Sequence, residues 1–277
     1  MAKTDAFTNK VAIVTGGASG IGRGLSEALA RQGAIVVVTD INVKKAKEVA
    51  QDIENAGGRA QAMNLDVSDG TAVKIFVDTV ANEHQRIDFI FNNAGVVIGG
   101  EVQDMSPDNW SHIINVNLWG VIHGVQAAYP LMVKQGFGHI INTASLAALV
   151  PWPGTAAYAA TKHGVLGLST SLRAEAADLG VRVSVVCPGF IDTDIYQNAT
   201  YINIDRKKIL KNLPSWIRMP IQKCARIILK GVVRNQAIIV VGWNTRLIWN
   251  CYRLTPSFYI RGTSIMVRAL RKAKQRQ

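Results

Sequence analysis

Residues 10–33 read KVAIVTGGASGIGRGLSEALARQG, and this stretch decides the fold. A short β-branched apolar run, KVAIVT, is followed by a glycine-rich turn, GGASGIGRG, and then by the helical pattern LSEALARQG. Strand, glycine turn and helix in that order form a cradle for a pyrophosphate. Glycines let a ligand approach the backbone closely, and the helix N-terminus offers unpaired N–H groups and the positive end of its dipole. Gly16, Gly20 and Gly22 are spaced GxxxGxG rather than GxGxxG, so the spacing alone also fits a plain glycine-rich turn.

The alternation continues. AIVVVTD is a second strand ending at Asp40, NVKKAKEVAQDIENAGG a helix with a glycine stop, and RAQAMNLDVSD a third strand ending near Asp66. TAVKIFVDTVANEHQ is helical, and IDFIFNNAG is a fourth strand broken by Asn92, Asn93, Ala94 and Gly95. A long helix follows with Ser106 as N-cap and Pro107 in the first position. It carries Asn117, a polar amide among Ile114, Val116, Leu118 and Val121 that needs a partner. GHIINTAS is the fifth strand and delivers Ser145; VRVSVVCPGF is the sixth, turned away from the sheet by Pro188 and Gly189. IQKCARIILKGVVRN reads as a helix packed on the sheet, with AIIVV as a seventh strand at its edge. Strands alternating with helices imply a parallel sheet covered on both faces. The expected fold is α/β, a Rossmann-like doubly wound parallel sheet of about seven strands, with a basic helical C-terminal extension. The expected division is residues 1–242, including a substrate loop at 190–219, and an extension at 243–277.

Asp40 falls about twenty residues beyond the glycines. There a carboxylate accepts hydrogen bonds from ribose hydroxyls and repels a 2′-phosphate, favouring NAD over NADP. Neither Ile41, Asn42 nor Ser19 is basic. Asp66 falls at the carboxyl edge of the sheet, where ligands bind.

SLAALVPWPGTAAYAATK, residues 145–162, holds a Ser, a Tyr thirteen residues later and a Lys four beyond the Tyr. In a helix Tyr158 and Lys162 share a face. A free phenol titrates near pH 10, and a neighbouring ammonium favours the phenolate. Lys162 is therefore expected to lower the Tyr158 pKa toward the range useful for acid–base work. Ser145 can hydrogen-bond the oxygen whose proton Tyr158 handles. A Tyr and a Lys also share helix faces by chance, and only the rest of the chain gives the pair its meaning.

TGGASGIG, Asp66, NNAG, Asn117, Ser145, YAATK and PGFIDT together resemble the short-chain dehydrogenase/reductases in order and spacing, over roughly residues 8–195. The resemblance implies an oxidoreductase with Tyr158 as catalytic acid/base. Lys162 would lower its pKa and hold the nicotinamide ribose, Ser145 would polarise the substrate oxygen, and Asn117 would hold a water in a proton relay. It implies that Gly16, Ser19, Ile21 and Gly22 surround the pyrophosphate, Asp40 the adenosine ribose, and Asp66 with Val67 the adenine. Asn93 would lie along the cofactor, and Ile191 and Thr193 would hold the carboxamide. Homodimers or homotetramers formed through the long helices after the fourth and fifth strands are implied as well. The five histidines, His163 among them, have no matching role and read as structural or surface residues.

Tyr196, Tyr201, Ile204, Leu210 and Trp216, with Val97, Leu146 and Trp152, supply apolar surface where that family has its substrate loop. An apolar or aromatic secondary alcohol or ketone, steroid- or lipid-like, is the expected substrate; the same residues also suit a mere cap on the core. An NADPH-dependent reductase and a non-catalytic binding protein are the competing readings. The first differs at Asp40, and the second has no need of Asn117, Ser145, Tyr158 and Lys162 together.

Apolar residues at 48% and charged residues at 18% describe an ordered globular chain. Cys187, Cys224 and Cys251 are too scattered for a disulfide framework or a metal cluster, so no metal is expected and a reducing compartment, the cytoplasm, is. MAKTDAFTNK has no apolar core of a signal peptide. Residues 135–161 lack Asp, Glu, Lys and Arg, but Pro151, Pro153 and several Gly, Ser and Thr make them strand, loop and helix start rather than a membrane span. The net charge of +12 is uneven: residues 200–277 carry 17 basic side chains and one acidic one, Asp205. NTRLIWNCYRL is an amphipathic helix with Leu247, Ile248, Tyr252 and Leu254 as its expected apolar face, opposite Arg246 and Arg253. Such a segment suits an anionic membrane surface, a second subunit or a solvated basic tail. No interleaving of aromatic and basic residues marks a sequence-specific nucleic-acid module.

Overall fold

The five residues of β1 (Val11–Thr15) are all buried, the mark of a strand covered on both faces. The computed structural model describes residues 5–203 and 217–274. β1 is followed by α1 (Gly20–Arg31), β2 (Ile35–Asp40), α2 (Val43–Asn55), β3 (Arg59–Asn64), α3 (Gly70–His84) and β4 (Phe89–Asn92). After a two-residue strand, β5 (Ile98–Gly99), come α4 (Pro107–Ile114), α5 (Gly120–Gln135), β6 (Gly138–Thr143), α6 (Ala156–Glu175) and β7 (Val181–Pro188). β8 (Thr200–Tyr201), α7 (Ile221–Val233), β9 (Ile238–Val241), α8 (Trp243–Leu254) and α9 (Pro256–Lys274) complete the order.

Seven strands form one sheet in the order β3-β2-β1-β4-β6-β7-β9, every pair parallel. The doubly wound sheet expected from the alternation is therefore present, with the AIIVV strand at the edge. One apolar cluster lies beneath α3, α5 and α6, with Val77, Val125, Ile140 and Val165 at its centre. The other lies beneath α1, α2 and α7, with Leu25, Val49, Phe91 and Ile228. Strand order reverses between β1 and β4, and the crevice at the carboxyl ends of those strands is where such folds take ligands. At the opposite end, buried Asp88 accepts from the Val11 amide at 2.9 Å and takes a two-pronged hydrogen bond from Arg86, at 2.7 and 2.6 Å. That bridge locks the starts of β1 and β4 together.

Three local features refine or correct the sequence reading. The third strand ends at Asn64, two residues short of Asp66, which leaves Asp66 in a turn. The long helix is one continuous rod, but between α4 and α5 residues Asn115–Trp119 form a π-turn, a device that widens the helix by one residue and re-aims a side chain. The expected apolar face of α8 is also corrected. Thr245, Ile248, Trp249 and Tyr252, at i, i+3, i+4 and i+7, turn toward the body, while Leu247 and Leu254 are exposed. Leu247, Ile248, Tyr252 and Leu254 span two faces of one helix, and only one face can meet the sheet. A small second sheet, β5 paired in parallel with β8, had no signal in the sequence, because two-residue strands carry no readable period.

Candidate active site

The glycine turn leaves β1 through Gly16, whose φ of +62° is the left-handed region. A Cβ there would lie 2.8 Å from the Ala94 Cα, so only glycine lets the turn sit against the segment after β4. Gly22, in the first turn of α1, is held differently: a Cβ would fall 2.0 Å from the Gly16 carbonyl oxygen and 2.7 Å from Asn93 Nδ2. Ser19 caps α1 by backbone position without a side-chain cap bond, and no acid occupies the first helical turn. Ile21 lies in that turn. The helix therefore presents an uncompensated positive N-terminus beside a turn with no side-chain bulk, a cradle that fits a dinucleotide pyrophosphate.

Asp40, the last residue of β2, is tied to this turn. Its Oδ2 accepts from the Ala18 amide at 3.2 Å and its Oδ1 from the Asn42 amide at 2.9 Å. Asp66 is exposed, and its Oδ1 closes a turn on the amide and hydroxyl of Ser68, at 2.9 and 2.7 Å. Val67 is buried. Its carbonyl bonds His123 Nδ1 at 3.0 Å, while the His123 ring stacks on Trp119, 5.7 Å between centroids. His123 holds the loop that the sequence assigns to the adenine, a structural role consistent with the histidine reading.

Thr15, the first residue of TGGASGIG, carries no sequence signal for the bonds its side chain makes. Its hydroxyl accepts from the amides of Asn93 and Ala94, at 2.9 and 3.1 Å, and donates to the Phe91 carbonyl at 3.3 Å. Asn93 Nδ2 donates back to the Thr15 carbonyl at 3.1 Å, and Thr143 Oγ1 donates to Asn93 Oδ1 at 3.4 Å. Three strand ends are thus stitched into one floor. Opposite, Ile191 is buried and bridges Met219. The Thr193 side chain lies against the glycine turn, 3.3 Å from where a Cβ on Gly20 would sit.

Tyr158 and Lys162 lie one turn apart near the start of α6. Lys162, 3% exposed, donates from Nζ to the Thr143 carbonyl at 2.9 Å and stands 5.7 Å from the Tyr158 ring centre. Asn117, on the π-turn, is fully buried. The partner its amide needs is the Val96 backbone: Oδ1 accepts from the Val96 amide at 2.8 Å and Nδ2 donates to the Val96 carbonyl at 2.9 Å. Lys162 and Asn117 converge on Gly95, where a Cβ would lie 3.1 Å from Asn117 Oδ1 and 3.5 Å from Lys162 Nζ. Ser145, two residues beyond β6, accepts from the Ala147 amide at 3.1 Å, and its hydroxyl is near enough to the Tyr158 phenol to influence its pKa.

Electrostatics reverse one expectation. Burial raises the Tyr158 pKa above its ordinary value, and the nearby Ser145 hydroxyl opposes that rise. Burial likewise lowers Lys162 to about 8. Desolvation is the largest influence on both groups, and Lys162 is not among the causes that move the Tyr158 phenol, so the expected lowering by Lys162 is not seen. Tyr196 is pushed up by burial and feels the Tyr158 and Tyr201 phenols, which puts it near the site. Tyr201 donates to the Tyr196 carbonyl at 3.1 Å. Val97 and Leu146 are buried, and Trp152 meets Phe190 edge to face at 5.7 Å between centroids. Ile204, Leu210 and Trp216 lie outside the described residues. Among the described residues no cluster of three His, Cys, Asp or Glu could hold a metal, and Cys187, Cys224 and Cys251 are free thiols.

Known proteins agree with this geometry. The chain is 38% identical over 192 residues to a cyclohexanol dehydrogenase from Acinetobacter sp. strain SE19, covering 68% of this chain and 76% of that one. A short chain dehydrogenase/reductase from Burkholderia phymatum, solved with NAD, superposes with a TM-score of 0.84 at 26% identity, over 91% of this chain and 96% of that one. A metagenomic short-chain oxidoreductase solved with NADP gives 0.65 at 40% identity, over 67% of this chain and 86% of that one. The family model described as short chain dehydrogenase matches residues 10–201, the span that builds the crevice. That match places the chain in the short-chain dehydrogenase family, as an NAD(P)-dependent oxidoreductase acting on CH–OH groups.

Proposed function

We propose that the protein is an NAD-dependent dehydrogenase of apolar secondary alcohols and the corresponding ketones, with Asn117, Ser145, Tyr158 and Lys162 as its catalytic set. The observation that carries the reading is the convergence of Lys162 Nζ and Asn117 Oδ1 on Gly95, one helical turn along α6 from Tyr158, whose phenol feels the Ser145 hydroxyl. Gly16, Ser19, Ile21 and Gly22 would hold the pyrophosphate, Asp40 the adenosine ribose, Asp66 and Val67 the adenine, and Asn93, Ile191 and Thr193 the nicotinamide half. When bound, the cofactor supplies hydride acceptance or donation.

The chain's own residues handle the proton. In oxidation Tyr158 Oη removes the alcohol proton while the Ser145 hydroxyl fixes the substrate oxygen; in reduction the transfers reverse. A phenol raised by burial is a poor base at neutral pH. A positive charge added beside it on cofactor binding would favour the phenolate, so base strength would be switched on by the complex. Lys162 holds its proton at neutral pH, since its pKa of about 8 lies above 7, and can both donate to a ribose hydroxyl and pass a proton on. Asn117, with both amide atoms committed to Val96, fixes the backbone around the Gly95 gap, through which a water would link Lys162 to solvent.

Support for NAD over NADP is the Asp40 carboxylate at the end of β2, which would repel a 2′-phosphate. Support for an apolar substrate is the wall of Val97, Leu146, Trp152 and Phe190, together with the likeness to a cyclohexanol dehydrogenase. A cytoplasmic homodimer or homotetramer completes the reading. A panel of alicyclic, aromatic and steroid secondary alcohols with NAD, followed at 340 nm and repeated with Tyr158→Phe, tests it. Turnover that survives the substitution, or tighter binding of NADPH than of NADH, would refute the corresponding part.

A further inference from the structure

The last two helices carry the same pattern twice. In α8, Thr245, Ile248, Trp249 and Tyr252 turn toward the body; the outward face holds Trp243, Leu247 and Leu254, spaced i, i+4 and i+11, with Trp243 74% and Leu254 82% exposed. Arg246 and Arg253 are exposed beside that stripe, the Arg253 guanidinium standing 5.2 Å from the centre of the Trp249 ring. In α9, Tyr259 packs on Tyr252 at 5.5 Å between centroids, and the outward face holds Phe258 and Ile265, 78% and 66% exposed, flanked by Arg261 and Arg268. Residues 243–277 contain no Asp or Glu at all.

We propose that α8 and α9 form a docking face for an anionic lipid bilayer, laid flat in the headgroup region. A helix of this kind buries an apolar stripe at the acyl boundary while flanking arginines meet lipid phosphates. Charge selects the occupant: a stretch of 35 residues, 243–277, without one acid complements a negative surface. Among the described residues no helix is long and apolar enough to cross a membrane, so the contact is peripheral.

The position of α8 gives the contact a consequence. Its first turn is seated on the loop leaving β7: buried Thr245 lies so close to Gly189 that a Cβ there would fall 1.9 Å from the Thr245 hydroxyl. Phe190, the next residue, is one half of the aromatic pair with Trp152. A bilayer under the outward face of α8 therefore holds a helix whose inner face is tied to the loop that carries Phe190. The docking face stands apart from the catalytic reading, because vesicle binding is measured without turnover.

The test is co-sedimentation of the full chain with vesicles of phosphatidylcholine alone or of phosphatidylcholine with phosphatidylglycerol. Binding to the anionic vesicles is expected at low salt, with a blue shift of tryptophan emission from Trp243, and is expected to fall at about 0.5 M salt, where the Debye length is near 4 Å. Leu247→Glu with Phe258→Glu is expected to cut partitioning about tenfold or more. Both side chains are exposed and touch no site residue, so circular dichroism and alcohol oxidation in solution stay at wild-type values. Arg246→Gln with Arg261→Gln, which removes charge without adding any to the apolar stripes, is expected to flatten the salt dependence. Equal sedimentation of the wild type and the glutamate variant with anionic vesicles, or none by either, overturns the proposal. So does a fall in oligomer mass in the glutamate variant with vesicle binding unchanged, which would make the face a subunit contact.

Discussion

Lys162→Met should make the protein more stable at neutral pH and abolish its activity. Lys162 is 3% exposed, and burial lowers its pKa from 10.5 to about 8. Below pH 8 both the folded and the unfolded chain carry this proton, so the full cost of the buried charge is present. Between about 8 and 10.5 the unfolded chain holds a proton the folded one has released, and stability rises with pH. Above that window the cost is gone. A difference of about 2.5 units, at 1.36 kcal/mol each, makes the charge cost about 3 kcal/mol at pH 7 and less than about 1 at pH 10. Urea denaturation of wild type and variant at both pH values reads this directly, since every other titrating group is common to the two proteins. The advantage of the methionine variant should shrink by about 2–3 kcal/mol between pH 7 and pH 10. A pH-independent difference, or a variant less stable at pH 7 with the same pH slope, would refute burial as the dominant influence on Lys162.

Tyr158→Phe should lower kcat by about 10² to 10⁴ while leaving the NADH dissociation constant, measured by fluorescence, within a few-fold of wild type. Thr15→Val keeps the shape of the side chain but leaves the Asn93 and Ala94 amides without their acceptor; denaturation should show a loss of about 2 kcal/mol or more, with weaker cofactor binding. His139 is buried, bonded to Ser184 at 2.8 Å and lowered to about 3 by burial and by the charges of Arg182 and Arg173. Its neutral form is kept in the folded chain, so stability is complete above pH 6.5 and is lost as pH falls toward 3. At pH 5 this one residue should cost about 2 kcal/mol, and His139→Gln should remove that part of the acid sensitivity.

The sheet and its winding were legible because each strand announces itself by a β-branched run and each connection by a helical period. The positions of Tyr158 and Lys162 were legible for the same reason: four residues in a helix is a distance. The partners of Thr15 were not, because Asn93 and Ala94 lie 78 and 79 residues away along the chain and nothing in a lone threonine points to them. The packed face of α8 was misread since hydrophobicity says which residues could be buried, and only the neighbouring strand says which side is. The direction of the Tyr158 pKa depended on how far water is excluded around it, a property of the folded crevice and of no segment by itself.

The pairing of Thr200 and Tyr201 with Ile98 and Gly99, and of Ile191 with Met219, fixes where this chain can be cut and rejoined. A junction placed upstream of Thr200 would unfasten its seam with Ile98 and Gly99, and a chimera made that way would change sequence and rigidity together.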